Sequence, residues 1–229
     1  MNILLFLIIF LLTVPLTNET SADRPQEFVV WNVGQGQWAT HVQQKICTHF
    51  DAGGEFAPFK KIKTFCNHKK NEFWISHWDK DHFIFLTSKF LRLTDICIRA
   101  PNFEPSEKWK NKIVKLIPNC VLTESSRISE IYAGKKSKDT NTESRIISLD
   151  KKILMPGDST EKEEKIWAIK APRSTEILLL GHHGSKTSTS TLLLRHLTDL
   201  KMAIASARKA KYNHPHPKIR LLLLSHRIP

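Results

Sequence analysis

The glycines of this sequence are concentrated where predicted strands end. Seven of the eight glycines fall in four short clusters, at 34 and 36, at 53 and 54, at 157, and at 181 and 184. Glycine is favoured where the backbone needs a positive φ or approaches another group closely. Ordinary turns explain any one cluster, but all four follow predicted strands and are accompanied by polar residues. The pattern therefore predicts the rim of a single site.

Strand-like and helix-like segments alternate along the chain, which predicts an α/β (α+β) fold. Short β-branched or aromatic runs predict strands at 28–31, 45–50, 73–76, 95–99, 146–149, 152–155, 176–180 and 202–206. Amphipathic patterns and caps predict helices at 107–116, 161–169, 188–197 and 218–224. The polar, cationic segment 134–143 is predicted to be an exposed loop and not a domain boundary.

The N-terminal segment differs in composition from the rest of the chain. Residues 3–16 form an uncharged apolar run that Pro15 interrupts, and a polar stretch with small residues follows. The run is shorter than the roughly 20 residues that span a bilayer, and it is typical of a secretory signal. We therefore expect a cleaved signal peptide over 1–22 and a secreted or periplasmic protein with no stable membrane span. An uncleaved membrane anchor is the alternative.

The chain is basic and otherwise of ordinary globular composition. Its 229 residues include 35 Lys+Arg and 22 Asp+Glu, a formal net charge of +13, and 41% are hydrophobic. This composition excludes fibrous, disordered and multi-span membrane proteins. The excess of cations favours a polyanionic partner such as DNA, RNA or an anionic membrane surface, without choosing among them.

The four cysteines, at positions 47, 66, 97 and 120, contain no C-x-x-C pair, which argues against a structural zinc knuckle. In an exported protein they can form two disulfides. Buried free thiols are the alternative, because Cys47 and Cys97 lie in apolar, strand-like runs.

The densest polar motif lies directly after the predicted strand 73–76. Within six residues it places two imidazoles and two carboxylates, those of His77, Asp79, Asp81 and His82. Such groups crowded on one loop need a cation to neutralise them, and Zn²⁺ or Mn²⁺ accepts this mixture of ligands. A solvated surface loop is the alternative interpretation.

Three later motifs also follow predicted strands or precede a predicted helix. Asp158 lies on a glycine turn, which alone is common turn chemistry. Residues 181–188 place two histidines, a lysine and hydroxyls before a helix, an arrangement typical of a phosphate cradle. An ordinary helix cap with incidental histidines is the alternative. His214 and His216, each followed by proline, are either positional or functional.

Six motifs together resemble a known family. They are Asn-Val-Gly-Gln-Gly at 32–36, Asp-Ala-Gly-Gly at 51–54, Ser-His-Trp-Asp-Lys-Asp-His at 76–82, Gly-Asp-Ser at 157–159, Gly-His-His-Gly-Ser-Lys-Thr-Ser at 181–188 and His-Pro-His-Pro at 214–217. Their order is similar to that in metallo-β-lactamase-fold hydrolases. More narrowly, they resemble the metallo-β-lactamase-like domain at the C-terminus of the ComEC competence proteins, which import DNA.

The resemblance implies an αββα sandwich over residues 23–229, with two divalent ions (Zn or Mn) at one edge of two packed sheets. Asp158 matches a carboxylate that bridges the two ions. Asp51 and His182 are expected to orient ligands without binding metal, and His214 matches a terminal histidine near the site. The implied metal ligands are His77, Asp79, Asp81, His82, Asp158 and His183.

The chain departs from the family pattern in two ways that affect the site. The first motif begins and ends with Asp in the family, whereas this chain has Asn32 and Gln37. No histidine occurs between His82 and Asp158, where the wider superfamily has a middle histidine ligand. We therefore expect two carboxylates near the site to be lost and one ion to be held weakly or partly by solvent.

These features favour a metal-dependent hydrolase, a phosphodiesterase or nuclease acting on extracytoplasmic DNA as in competence-related DNA uptake. The expected catalytic residues are Asp81, Asp158 and His214, with His214 donating a proton to the leaving oxygen. The residues expected to orient the phosphate are Ser185, Lys186 and Thr187.

Surface charge and tryptophans are compatible with a nucleic-acid substrate. Basic clusters at 60–63, 69–70, 135–138 and 208–211 fit a polyanionic backbone, and Trp31, Trp38 and Trp78 fit base stacking. A solvated face for the lysines and a core position for the tryptophans are the alternatives.

Two other functions are compatible with the sequence. A hydrolase of a small phosphoester on the same fold would have a narrow pocket and no salt-sensitive DNA binding. A non-catalytic DNA-binding module, suggested by Asn32, Gln37 and the missing histidine, would bind DNA without cleaving it. The fold alone does not choose among these functions.

Overall fold

The structure, a computed structural model, describes residues 26–87, 93–121 and 127–229. The signal peptide predicted over 1–22 lies outside the described residues. Within the described ranges, no helix combines the length and the apolar character that crossing a bilayer requires.

The described chain forms two five-stranded sheets with the same internal pattern. In each sheet the first three strands pair antiparallel and the last three pair parallel. The first sheet contains β1 (Glu27–Val30), β2 (Ala39–Val42), β3 (Ile46–Phe50), β4 (Lys70–Trp74) and β5 (Ile96–Arg99). The second contains β6 (Ile128–Tyr132), β7 (Ile146–Leu149), β8 (Ile153–Met155), β9 (Ile177–Leu179) and β10 (Met202–Ile204).

Helices cover the outer face of each sheet. The helices that follow first-sheet strands are α1 (Phe59–Cys66), α2 (Lys80–Phe83) and α3 (Lys108–Val114). Those of the second half are α4 (Glu161–Trp167), α5 (Thr191–His196), α6 (Lys209–Tyr212) and α7 (Pro217–Ser225). Short 3-10 turns lie at Ile84–Leu86, Thr140–Glu143, Ala168–Lys170 and Gly181–Gly184.

The hydrophobic core has three parts, which define four layers. Alternating side chains of the strands, such as Phe50 and Ile147, meet in a core between the two sheets. A second core packs the other face of the first sheet against Ile62 of α1 and its neighbours. A third packs the second sheet against helices, including Trp167 of α4 and Ile219 of α7. This arrangement confirms the predicted α/β sandwich with helices outside two stacked sheets.

All eight predicted strands and all four predicted helices are present, with ends shifted by a few residues. Two strands were not predicted: β2 carries polar Thr40 and His41, and β6 carries polar Ser129 and Glu130. Helix α1 was not predicted either, because its lysines mask an amphipathic pattern in which Ile62 and Cys66 are buried. The predicted basic clusters are mostly exposed, as for Lys60, Lys61 and Lys63 of α1.

The base-stacking role considered for three tryptophans is wrong. Trp31, Trp38 and Trp78 are only 6%, 1% and 2% exposed, and all three belong to the core of the first sheet. Their rings therefore contribute apolar burial instead of a stacking surface.

The four cysteines are all paired. Disulfides join Cys47 to Cys66 and Cys97 to Cys120. Each links a strand of the first sheet to the segment that follows it, so the alternative of free thiols does not apply.

Arg145 joins the two sheets at the end where the functional motifs lie. Its guanidinium donates through Nε to Glu130 Oε2 (2.6 Å) on the second sheet. Its Nη1 donates to the carbonyl oxygens of Arg99 (2.9 Å), the last residue of β5 in the first sheet, and of Ala100 (3.1 Å), which follows it. Since this side chain is only 7% exposed, removing it leaves several acceptors buried without donors.

We expect Arg145→Met to lower the free energy of unfolding by about 3 kcal/mol, because it removes one partner of a buried ion pair. Urea unfolding with the disulfides intact would measure the loss. Arg127→Met is the matched control, because Arg127 forms a partly exposed ion pair with Asp150 (2.7 Å) and should cost less than about 1 kcal/mol. Equal losses in the two variants would contradict the role assigned to Arg145.

Candidate metal centre

The predicted site residues lie where the parallel strands of both sheets end. Asp51 follows β3, the 76–82 loop follows β4, Asp158 follows β8, and the turn 181–184 follows β9. The carboxyl ends of parallel strands lie at one edge of a sheet, and stacking the two sheets brings both edges together. The four predicted glycine clusters therefore border one site.

Two glycine turns hold the 76–82 loop by its backbone. The amide of Gln37 donates to the carbonyl oxygen of Asp81 (2.9 Å), and that of Ala52 donates to His82 O (2.8 Å). A Cβ at Gly53 would lie 2.2 Å from the carbonyl carbon of Asp81, and one at Gly36 would lie 2.3 Å from Gly54 Cα. Only glycine allows this approach of one backbone to another, which explains the first two glycine clusters.

Four of the predicted ligands form a compact group. One ligand atom from each of Asp81, His82, Asp158 and His183 lies within 4.8 Å of all the others. His82 Nε2 is 2.9 Å from Asp158 Oδ1 and 3.3 Å from His183 Nε2. His183 Nε2 is 3.2 Å from Asp81 Oδ2. The carboxylate of Asp158 is 4% exposed and lies among these side chains.

Of the two remaining predicted ligands, His77 lies beside the other oxygen of Asp158, and Asp79 lies beside His77. His77 Nε2 lies 3.9 Å from Asp158 Oδ2 and 3.4 Å from Asp79 Oδ2. Asp79 Oδ2 also accepts a hydrogen bond from the Thr140 hydroxyl (2.9 Å). All six side chains predicted as ligands are thus brought to one place, on both sides of a single carboxylate.

The carboxylate of Asp51 contacts one member of this group, His82. Its Oδ2 accepts from His82 Nδ1 (2.7 Å) and from the Ser76 hydroxyl (2.9 Å). Its Oδ1 accepts from the Ser76 amide (2.7 Å). A carboxylate on the outer nitrogen fixes the tautomer of an imidazole and directs the other nitrogen inward.

The two departures in the first motif affect the site less than expected. Gln37 is buried, and its amide donates to Asp51 Oδ2 (2.9 Å), so it supports the ligand network. Asn32 is exposed, and its side chain accepts from the backbone amide of Gly34 (3.3 Å). Neither side chain contacts the proposed ligands directly in the hydrogen bonds of the described residues.

The ionisation of the buried groups is strongly coupled. Burial raises the pKa of Asp158, but His82, His183 and His77 outweigh burial and hold this pKa well below its ordinary value. Burial lowers the pKa of His82, but Asp158 and Asp51 outweigh it and raise this pKa well above its ordinary value. For Asp81, hydrogen bonding to His183 and the charge of His82 overcome burial and lower the pKa to about 2. The carboxylates are therefore ionised at neutral pH.

These side chains fit divalent metal ions. His77 Nε2 is buried and has no hydrogen-bond partner, although Asp79 and Asp158 lie near it. His82 places both ring nitrogens against carboxylates, an arrangement that needs a positive charge, which either a protonated ring or a bound cation supplies. Imidazole nitrogens and carboxylate oxygens are the donors that Zn²⁺ and Mn²⁺ accept.

The predicted phosphate-binding segment borders the site. His182 and His183 both have left-handed backbones (φ 46° and 55°). Lys186 and Thr187 are exposed and line a groove of about 520 Å³ beside His182. Ser185 is buried, and its hydroxyl lies 3.1 Å from that of Thr187. Of the three residues expected to orient phosphate, two therefore face the groove directly.

His214 lies at the rim, half-buried. Its Nδ1 is 3.5 Å from Gln35 Nε2, and its ring centroid is 6.5 Å from that of His182. Burial and the neighbouring His183 and His182 lower the pKa of His214. The ring is therefore mostly neutral at neutral pH.

Three supporting contacts were missed by sequence reasoning. The Lys110 ammonium of α3 donates to the carbonyl oxygen of Trp78 in the 76–82 loop. Glu164 of α4 accepts from the amides of Thr189 and Ser190 (2.6 Å each) and so fixes the segment before α5. Thr140, on the segment predicted to be an exposed loop, reaches Asp79. A lysine or glutamate in an amphipathic helix carries no sequence signal for such a distant partner.

The sequence is similar to known proteins over about a third of its length. No protein-family model matches the chain. ComE operon protein 3 of Bacillus subtilis is 32% identical over 76 residues, which is 33% of this chain and 10% of that protein. Recombination protein 2 of Haemophilus influenzae is 37% identical over 79 residues, again 33% of this chain and 10% of the relative. The matched segment thus spans about a tenth of the length of these curated relatives.

A solved structure is also similar in outline. It comes from Parabacteroides distasonis, is named as a candidate metal-dependent hydrolase, and aligns with 80% of this chain and 94% of its own. The sequence identity is 16% and the TM-score is 0.44. A likeness at this distance carries no functional weight.

We expect Asp51→Asn to weaken binding of Zn²⁺ or Mn²⁺ by about 10- to 100-fold, because the amide no longer accepts every hydrogen bond that orients His82. Competition with a chelator of known affinity would measure the change. Asp150→Asn is the matched control, because Asp150 also has a left-handed backbone (φ 53°, against 57° for Asp51) but pairs with Arg127. Unchanged metal affinity in Asp51→Asn would contradict the role of this carboxylate.

Proposed function

We propose that residues 23–229 form a metallo-β-lactamase-like domain that hydrolyses phosphodiester bonds, with DNA outside the cytoplasm as its substrate. The observation that carries the proposal is the buried carboxylate of Asp158, which has imidazole nitrogens on both of its oxygens and the carboxylates of Asp79 and Asp81 close by. Such a donor set suits two divalent ions better than any arrangement without metal.

The ligands in this proposal are those implied by the resemblance. Bound divalent ions would lower the pKa of a coordinated water and offset the charge of phosphate oxygens. His77 and Asp79 present donors on one side of Asp158, and Asp81, His82 and His183 on the other. Asp51 fixes the orientation of His82, and Ser206 O accepts from Nδ1 of His183 (2.9 Å) and fixes that ring.

The groove beside the centre suits a phosphate backbone. Lys186 and Lys162 are exposed on its walls beside the acidic Asp139 and Glu161, and Thr187 and Asn141 supply hydrogen-bond donors. Cations and hydroxyls of this kind hold an anionic oxygen while it reacts. The proposed role of Lys186, Ser185 and Thr187 is therefore to position the phosphate beside Asp158.

His214 is the proposed proton donor to the leaving oxygen. Its pKa is lowered in the free protein by burial and by His183 and His182. A phosphate anion beside the ring would raise that pKa and so supply the proton where it is needed.

DNA is proposed as the polymer on two grounds. The net charge is +13, and exposed lysines at 135, 136 and 138 precede Thr140, which contacts the site. The motifs resemble those of ComEC competence proteins, and ComE operon protein 3 is similar over 76 residues. A salt-dependent attraction for nucleic acid follows from the charge alone.

Export from the cytoplasm is proposed because the two disulfides and the apolar N-terminal run both favour it. Both cysteine pairs are oxidised, and disulfides persist mainly in secreted and periplasmic proteins. The apolar run 3–16 would direct the chain across the membrane, either as a cleaved signal over 1–22 or as an anchor.

We expect the purified full chain to cleave single- or double-stranded DNA with Mn²⁺, Mg²⁺ or Zn²⁺ and to stop in EDTA. Asp158→Asn should lower the cleavage rate by more than about 100-fold, since it removes a shared ligand and not only a supporting contact. Asp199→Asn, an exposed carboxylate that precedes β10, should cleave like the wild type.

The outcome separates the three functions considered for this chain. DNA that is bound in low salt but not cut with any metal would contradict the hydrolase and favour the non-catalytic module. Hydrolysis of a small phosphoester without binding or cleavage of DNA would contradict the nuclease and favour the small-substrate enzyme.

We expect Lys186→Ala to weaken DNA binding and to reduce the slope of log affinity against log salt by about 0.9, the value for one lost phosphate contact. Fluorescence anisotropy across a salt series in EDTA would measure the slope without cleavage. Lys201→Ala is the matched control, because Lys201 is 70% exposed but lies before β10, at the opposite end of that strand from the site. Equal slopes in wild type and Lys186→Ala would exclude this lysine from the DNA path.

A further inference from the structure

The donors around Asp158 are arranged almost symmetrically. Oδ1 has two imidazoles beside it, with Nε2 of His82 at 2.9 Å and Nε2 of His183 at 3.6 Å. Oδ2 also has two, with Nε2 of His77 and Nε2 of His182 both at 3.9 Å. Each side of the carboxylate therefore has a pair of imidazoles.

Each side also has a carboxylate of its own. On the Oδ1 side, Asp81 lies 3.2 Å from His183 Nε2. On the Oδ2 side, Asp79 lies 3.4 Å from His77 Nε2. On the Oδ1 side, the two imidazoles and the carboxylate all belong to residues already expected to bind metal. On the Oδ2 side, the same set of two imidazoles and one carboxylate is reached only if His182 is included.

We infer that His182 is a ligand of the second divalent ion and replaces the histidine that is absent between His82 and Asp158. This inference rests on the proposed metal-dependent function and identifies one more residue of the same centre. It differs from the expected supporting role, in which His182 would orient ligands without touching the metal.

The orientation of the ring supports this assignment. In three of the histidines the outer nitrogen, Nδ1, faces a protein oxygen and Nε2 faces Asp158. The partners are the Ser76 hydroxyl for His77 (3.0 Å), Asp51 for His82 (2.7 Å) and Ser206 O for His183 (2.9 Å). His182 repeats the pattern with the Thr187 hydroxyl (3.4 Å). Metal-binding histidines usually have their outer nitrogen engaged in this way.

The backbone of the turn also supports it. His182 and His183 are consecutive residues with left-handed conformations, which are uncommon for any residue but glycine. The turn is held by the His182 amide, which donates to Gly157 O (3.0 Å), and by the Ser185 amide, which donates to His182 O (2.8 Å). This conformation brings two adjacent imidazoles to opposite oxygens of one carboxylate.

Exposure predicts which ion exchanges more readily. The side chain of His182 is 29% exposed, whereas that of His183 is 1% exposed. The carboxylates do not differ in this way, since Asp79 is 32% exposed and Asp81 is 36% exposed. The ion held by His77, Asp79 and His182 therefore has the more exposed histidine and should be released first.

The test is the number of ions bound by the full chain after equilibrium dialysis against Mn²⁺, measured by elemental analysis and by electron paramagnetic resonance. We expect two ions per chain in the wild type and one in His182→Asn, with the spin-coupled signal of a manganese pair replaced by that of an isolated ion. Asparagine tolerates a left-handed backbone, so this variant preserves the turn. Equal melting temperatures of the two proteins in EDTA would show that the variant is folded.

The matched control is His68→Asn, because His68 is exposed, has a left-handed backbone (φ 63°) and lies before β4, at the opposite end of that strand from the site. It should bind two ions. If His182→Asn binds two ions, or binds both ions with equally reduced affinity, His182 is not a ligand of the second ion alone and the inference is wrong. The proposed two-ion centre would still stand in that case. A wild type that binds no divalent ion would instead overturn the proposed function, and the inference with it.

Discussion

A buried carboxylate with imidazoles on both oxygens is the interaction around which this end of the molecule is organised. Asp158 is 4% exposed, and an ionised carboxylate at such a position is costly unless positive charge or hydrogen bonds surround it. His77, His82 and His183 supply the nearest compensation. Because these histidines and Asp158 come from three separate segments, the relative positions of the three segments are fixed by what Asp158 requires.

The repeated pattern of the two sheets makes this convergence possible. Each sheet ends in three parallel strands, so each delivers its functional loops to the same edge. Arg145 then ties the edges together through Glu130 on one sheet and the carbonyl oxygens of Arg99 and Ala100 on the other. Its backbone amide also donates to the carbonyl oxygen of Ser76 (3.0 Å), the first residue of the 76–82 loop. Arg145 therefore joins the two sheets and also holds the loop that carries four of the proposed ligands.

Sequence reasoning predicted the architecture and the proposed ligands because both leave local signals. Strands such as 146–149 are mostly apolar, and the glycines at 36 and 53 are placed where one backbone meets another. Helix α1 was missed because its lysines indicated a solvated segment, although Ile62 and Cys66 face the core. Contacts made by Lys110, Glu164 and Thr140 were also missed. Their partners are distant in sequence, so only the folded chain reveals them.

Gln37 lies where the proteins that the motifs resemble have a carboxylate, and its presence has a physical explanation in this network. Gln37 donates to the same oxygen of Asp51 that accepts from His82 and Ser76. An aspartate at that position would bring a second buried negative charge beside Asp51 without a donor to offer, and the two carboxylates would repel each other. The glutamine instead stabilises the charge of Asp51, and this carboxylate engages Nδ1 of His82 and directs Nε2 toward Asp158. The substitution removes a charge and retains the support, so this departure does not argue against a functional metal centre.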